Sequence, residues 1–207
     1  MTEEDKKRKR ITKKFIEEQL DKVYNRETYD LTIKDKDLFA KETDSVYGEI
    51  TRESVDKILV DFKKYFGKNA VFYDLGCGNA KFVMHVALKT KVKKACGVEL
   101  SKDRFDKALE YASEIEFPRL QPQILNANFL TVDYSDATVA YVDNTMYPYL
   151  LPEIMKVLPK GCLLIYKSGG WNTGDRFFQI NTSYNDKDLK TEFLTFWNAM
   201  ASFRFIE

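Results

Sequence analysis

Val71-Phe72-Tyr73-Asp74-Leu75-Gly76-Cys77-Gly78-Asn79 is the stretch whose reading decides the fold of this chain. Ala70–Leu75 is a short apolar run closed by a glycine turn. Asn79–Thr90 then shows helical spacing through Phe82, Val83, Val86 and Ala87. A strand that enters a helix through glycines lets the backbone take up positive φ and pass close under a ligand. Such a turn places a nucleotide-type ligand at the carboxyl ends of the strands.

Working outward, the same alternation repeats. Lys94–Leu100 predicts a second buried strand, and Ser101 caps a helix running through Phe105, Ala108, Leu109 and Ala112. Gln123–Ala127, Ala137–Val142 and Cys162–Tyr166 are further strand signals. Strands alternating with helices imply a parallel sheet with crossover helices on both faces. The tail carries two strand-rich stretches, Phe177–Ser183 and Phe193–Ile206, with no clear helix between them. They predict a terminal antiparallel hairpin. The expected architecture is therefore α/β and Rossmann-like, with a mostly parallel seven-stranded sheet ending in that hairpin.

Before the glycine loop, Ile11, Phe15, Ile16, Leu20, Val23 and Tyr24 recur at helical spacing and predict a helix over about 7–25. Residues 26–46 read as a polar connecting segment. Thr51 predicts the cap of a second helix with Val55, Ile58, Leu59, Phe62, Tyr65 and Phe66 on one side. The expected division is a basic N-terminal helix and connector over 1–46 and a catalytic domain over 47–207.

Composition limits the alternatives. The 207 residues suffice for one domain with a proper core, and 44% hydrophobic and 14% aromatic content argue against bulk disorder. A formal net charge of +1 means that any nucleic-acid signal must be local. No apolar run reaches the roughly 20 residues of a membrane span, and the charged N-terminus has no secretory apolar core. Cys77, Cys96 and Cys162 lack metal-type spacing and read as reduced thiols of an intracellular protein, in the nucleus or the cytoplasm. No metal site is expected. The single histidine, His85, lies among Val83, Met84 and Val86 and reads as structural or solvent-facing.

The glycine loop alone also suits a dinucleotide. Two features favour another ligand. The third glycine of the dinucleotide fingerprint is replaced by Lys81. An acid, Asp74, precedes the glycines, where an anion suits a sulfonium cofactor with an α-amino group and ill suits a pyrophosphate. Glu99, closing Cys96-Gly97-Val98-Glu99, stands at the spacing of a ribose-binding carboxylate. The expected cofactor is S-adenosyl-L-methionine (SAM), leaving as S-adenosyl-L-homocysteine. A ligand-free strand-turn-helix is the bland alternative.

From about residue 40 to 207 the chain resembles a class I SAM-dependent methyltransferase. Within that class it is similar to the Dot1-type protein-lysine methyltransferases and to short archaeal protein-lysine methyltransferases. Tyr47-Gly48-Glu49-Ile50 resembles the Dot1 Tyr-Gly-Glu-Thr motif, with isoleucine in the fourth place. Asp74–Gly78 and Val98-Glu99-Leu100 match the cofactor motifs. Asp143-Asn144-Thr145-Met146-Tyr147-Pro148 lies where Dot1 enzymes carry an Asn-Asn-Phe type segment. Asp136-Ala137-Thr138-Val139 and Gly170-Trp171-Asn172 resemble the archaeal enzymes. Asn128-Phe129 stands where Asp-Phe is common. The resemblance implies cofactor contacts from Glu49, Asp74, Gly76, Cys77, Gly78, Glu99, Leu100, Asn128, Phe129 and Asn144, with Glu49 either binding the cofactor's amino acid portion or shaping its loop. Cys77 serves there as a small filler. It also implies an aromatic acceptor channel from Tyr47, Phe129, Tyr147 and Trp171, with Asn144 orienting the amine.

The implied reaction is methyl transfer to a deprotonated lysine, with a histone or nucleosome as the leading partner. The segment after the fourth expected strand lacks the paired prolines common in nucleic-acid amino methylation, and no loop with paired glutamates for arginine is found. Lys6-Lys7-Arg8-Lys9-Arg10 could contact DNA phosphates or act as a nuclear address; a solvated helix face is the plain alternative. Two rivals remain open at this point: an RNA or small-molecule methyltransferase, and a non-catalytic SAM-binding module.

Overall fold

The computed structural model describes residues 11–26, 49–143, 148–167, 191–196 and 199–205. Five helices are described: α1 (Lys13–Tyr24), α2 (Arg52–Asp61), α3 (Lys81–Lys89), α4 (Lys102–Ser113) and α5 (Leu151–Val157). The strands are β1 (Val71–Leu75), β2 (Lys94–Glu99), β3 (Gln123–Asn126), β4 (Val139–Asp143), β5 (Leu163–Lys167), β6 (Thr191–Phe196) and β7 (Ala199–Phe205). Thr12, Thr51 and Ser101 cap α1, α2 and α4, each side chain accepting a backbone N–H three residues on.

The Rossmann-like body is a five-stranded, all-parallel sheet in the order β3-β2-β1-β4-β5. This corrects the expected seven-stranded sheet with a terminal hairpin. β6 and β7 lie beyond that body, antiparallel to one another, with β7 along β5. Nor are they the two strands expected. The chain turns back between Phe196 and Ala199, inside the stretch expected as the single strand Phe193–Ile206. Residues 177–183 lie outside the described residues, as do 1–10. Strand-forming composition marks such a stretch as extended, but not where it reverses.

β1, β2, β4 and β5 are buried on both faces, as inner parallel strands are, whereas the edge strand β3 is largely exposed. Alternation assigns each side chain to a face. Phe72, Ala95, Val139, Tyr141, Leu163 and Ile165 meet the helices of one face, α1 to α4. Val71, Tyr73, Leu75, Cys96, Val98, Ala140, Val142 and Leu164 pack on the other with Tyr134, Ile154 of α5 and Leu158. On the first face Phe66, Phe72, Phe82 and Tyr141 make a chain of ring contacts with centroids 5.6, 5.0 and 4.9 Å apart.

The N-terminal helix is built into this face. Its Ile16, Leu20 and Val23 are buried in the same core as α3. Polar contacts then fix its position. The Tyr24 hydroxyl donates to His85 Nδ1 at 2.9 Å, and His85 Nε2 donates to Asp56 of α2 at 3.0 Å. Asp56 also holds Lys89 at the end of α3. Arg52 bridges to Glu17 and Asp21 of α1, and Arg26 reaches Glu114 beyond α4 at 2.8 Å. His85 is thus fully buried and structural.

Burial lowers the His85 pKa below 6.5, against the opposing pull of Asp56. The folded protein therefore binds fewer protons here than the unfolded chain as pH falls below about 6.5. Stability should drop between pH 7.5 and 5.5 in urea melts, and His85→Gln should remove that part of the pH dependence. Tyr24→Phe should lower stability by about 1 kcal/mol at pH 7.5 through the lost hydrogen bond.

Candidate cofactor site

The glycine loop is attached to the neighbouring strand by its own backbone. The N–H groups of Gly76 and Cys77 both donate to the Val98 carbonyl, at 2.8 and 3.0 Å. The Gly78 N–H donates to Glu99 Oε2 at 2.8 Å. Three successive loop N–H groups are therefore spent on β2. A pyrophosphate needs such donors turned toward it, so this geometry disfavours a dinucleotide.

The loop can lie this close because of Gly97 in β2. A Cβ there would come 2.5 Å from Cys77 Sγ and 3.1 Å from Val83 Cγ2. Cys77 is the packing piece of this contact. Burial and the charges of Asp74 and Glu99 push its thiol well above the usual range, which removes it as a nucleophile. The loop takes left-handed backbone at Gly76, Gly78 and Ala80, with φ of 81°, 53° and 59°. Helix α3 starts only at Lys81, two residues after the expected Asn79, because left-handed Ala80 cannot be a helical residue.

Three carboxylates close three adjacent strands: Glu99 on β2, Asp74 on β1 and Asp143 on β4. By alternation all three share the face of Phe72, Ala95 and Tyr141. The strand order reverses between β1 and β4, where ligands bind in open α/β sheets. Asp74 is buried, and its pKa is raised well above the ordinary value by burial and then by the like charges of Glu99 and Asp143. Glu99 is raised by burial, opposed by the N–H of Ser101, the Arg104 guanidinium and the N–H groups of Gly78 and Leu100. Its Oε1 accepts from Ser101 N at 2.9 Å. A carboxylate has about four acceptor positions, and these three N–H groups leave about one for a ribose hydroxyl.

This donor set fits SAM. A buried carboxylate ringed by like charge calls for a cation, and the cofactor brings an ammonium and a sulfonium. Glu49, the first described residue after the connector, accepts from Lys81 Nζ at 2.5 Å and from Asn79 Nδ2 at 3.4 Å. Leu100 follows β2, and its carbonyl accepts from Asn126 Nδ2 at 2.9 Å. Asn128 Oδ1 accepts from Leu130 N at 2.9 Å, capping the short turn Phe129–Thr131. Phe129 is half-buried against the second core cluster. Tyr47, Asn144, Tyr147 and Trp171 lie outside the described residues.

Sequence reasoning missed Asp143, Gly97 and the Glu49–Lys81 pair. In the sequence Asp143 is only the first residue of the Asn144 segment; its signal is its place at the end of a strand beside β1. Gly97 was read as an ordinary strand residue. An isolated glycine within a strand was the available sign of a close backbone approach.

An all-parallel Rossmann-like body, a glycine loop pinned to β2 and acids at the switch point define a class I SAM-dependent methyltransferase. The chain belongs to the family described as "Histone methylation protein DOT1", matched over residues 29–151. It is 31% identical over 129 residues to a protein-lysine N-methyltransferase of Saccharolobus islandicus (strain REY15A), covering 59% of this chain and 78% of that protein. It is 26% identical over 177 residues to the histone-lysine N-methyltransferase, H3 lysine-79 specific, of Caenorhabditis elegans. That match covers 77% of this chain but only 18% of the nematode protein. The fold is also that of an RNA methyltransferase from Salinibacter ruber in complex with S-adenosyl-L-homocysteine. There the TM-score is 0.55 at 18% identity, over 76% of this chain and 92% of the other. The protein is a SAM-dependent methyltransferase.

Two outcomes follow from the geometry. A cation beside Asp74 favours its ionised form, so SAM binding should release a proton and tighten as pH rises toward the raised Asp74 pKa. Calorimetry in buffers of different ionisation enthalpy reads both effects, and Asp74→Asn should abolish the Asp74 share of the proton release. Gly97→Ala should destabilise the fold by about 1–3 kcal/mol and weaken SAM binding by displacing the loop. Adding Cys77→Ala should recover part of both, read by thermal melts and SAM titration.

Proposed function

We propose that this enzyme is a protein-lysine N-methyltransferase, with a histone as its leading substrate. The observation that carries the reading is the match to the archaeal protein-lysine N-methyltransferase across 78% of that protein's length. The nematode relative, specific for lysine 79 of histone H3 by its description, supports the histone as the first substrate to try.

SAM supplies a methyl carbon already activated by positive sulfur. The protein's part is then to hold the cofactor, bring a neutral amine in line and exclude water. A lysine amine, with a reference pKa of about 10.4, must lose its proton before attack. In this reading Asp74 and Glu99 hold the cofactor's ammonium and ribose. Asn128 takes the adenine amino group on its second lone pair, and Phe129 lies against the base or the channel. Tyr47, Tyr147 and Trp171 form an apolar channel that favours the neutral amine by desolvation and tolerates the cationic product beside ring faces. Asn144 orients the amine. The basic run Lys6–Arg10 is the candidate contact to DNA phosphates if the substrate is nucleosomal.

Labelled SAM supplied with histones, nucleosomes and a cell extract tests this directly. Label should appear in protein, on lysine after hydrolysis. Asp74→Ala should lower turnover by about 100-fold, as expected for loss of a buried charge partner. Label only in nuclease-sensitive or dialysable material would overturn the lysine assignment in favour of RNA or a metabolite.

A further inference from the structure

Lys81 occupies an awkward place. It is the first residue of α3, where the positive end of the helix dipole disfavours a cation. Its side chain is only 7% exposed, and its partner Glu49 only 16%. The residue before it, Ala80, is fully buried and left-handed, and caps the helix with no side-chain hydrogen bond. A non-glycine residue in this conformation persists only where its surroundings hold it there.

Glu49 supplies what the turn lacks. One carboxylate oxygen takes the Lys81 ammonium at 2.5 Å, and the other accepts from the Asn79 amide at 3.4 Å. The two contacts straddle Ala80. They also place negative charge at the N-terminus of α3, offsetting both the dipole and the buried lysine. Below Ala80 the loop is held by its N–H to the Cys77 carbonyl at 2.8 Å, so the turn is gripped on both sides. Glu49 itself stands just ahead of Thr51, the cap of α2. The ion pair therefore ties the entry of α2 to the loop that receives the cofactor.

We propose that Glu49 and Lys81 are positioning residues for SAM: their buried ion pair, with the Asn79 amide, clamps the left-handed turn at Ala80 and so sets the shape of the glycine loop. Neither side chain needs to touch the cofactor. The role is distinct from that of Asp74 and Glu99, which face the ligand. It rests on the SAM site alone; a protein that binds SAM and methylates no lysine leaves it standing.

The test is SAM titration by calorimetry on the full chain, with thermal melts alongside. Removing one partner strands a buried charge, so the pair is changed together. Glu49→Gln with Lys81→Met should keep a cooperative melt and weaken SAM binding about tenfold. Adding Ala80→Gly, which accepts the left-handed turn without strain, should bring affinity back to within about threefold of wild type. The charge-reversed pair, Glu49→Lys with Lys81→Glu, should recover affinity likewise. Wild-type affinity in the uncharged pair overturns the clamp. A reversed pair that binds as weakly as the uncharged one, while still folded, also overturns it, because each residue would then act on the ligand by itself.

Discussion

The donation of three successive loop N–H groups to β2 is the constraint on which the rest of this structure depends. Gly76 and Cys77 share the Val98 carbonyl, and Gly78 takes Glu99. The loop is thereby an extension of the sheet rather than a mobile strap. Gly97 must lack a side chain for this to happen, since Cys77 occupies the space a Cβ would need. Glu99 is drawn into the same arrangement. It fastens the loop with one oxygen and Ser101, the cap of α4, with the other. One carboxylate thus fixes the loop and the next helix while keeping acceptor capacity for a sugar.

Helix α3 carries that order away from the site. All of its residues from Lys81 to Leu88 are buried, so it is a core element as well as the continuation of the loop. Lys81 at its start meets Glu49, His85 in its middle meets Tyr24 and Asp56, and Lys89 at its end meets Asp56. The partners come from α1, from α2 and from Glu49, two residues ahead of the α2 cap. In the sequence the N-terminal helix has an apolar face and a basic start. In the fold its apolar stripe is part of the wall behind the cofactor loop. Damage to α1 would be expected to reach the site through α3, because packed elements move as units.

What was legible in the sequence was local. β1 and its glycine turn follow from the apolar run Ala70–Leu75 and the glycines Gly76 and Gly78. Thr51 and Ser101 announce their helices because a hydroxyl one residue ahead of an apolar periodic run is itself a local device. Glu99 was readable through its spacing from the loop. What was not legible depends on residues distant in the chain. Tyr24 and His85 are 61 positions apart, and Glu49 and Lys81 are 32 apart; no periodicity announces either pair. In the sequence Lys81 is a missing glycine; in the fold its ammonium pairs with Glu49. Asp143 gains its meaning from β4 lying beside β1, which is a fact of strand order. The tail misled because extended composition continues through a reversal of the chain.

The three acids also constrain the chemistry. Placing Asp74, Glu99 and Asp143 on one face of adjacent strands is unfavourable for folding by itself. The like charges raise the proton affinity of Asp74 on top of its burial. Such an arrangement is held together by the sheet and relieved by positive charge. SAM brings two positive groups, an ammonium and a sulfonium. After transfer the sulfur is neutral. The site's preference for cations then no longer favours the spent cofactor as strongly as the fresh one. In this way the electrostatic mismatch built into the carboxyl ends of β1, β2 and β4 serves binding and exchange alike: it draws in the sulfonium and holds its neutral product less firmly.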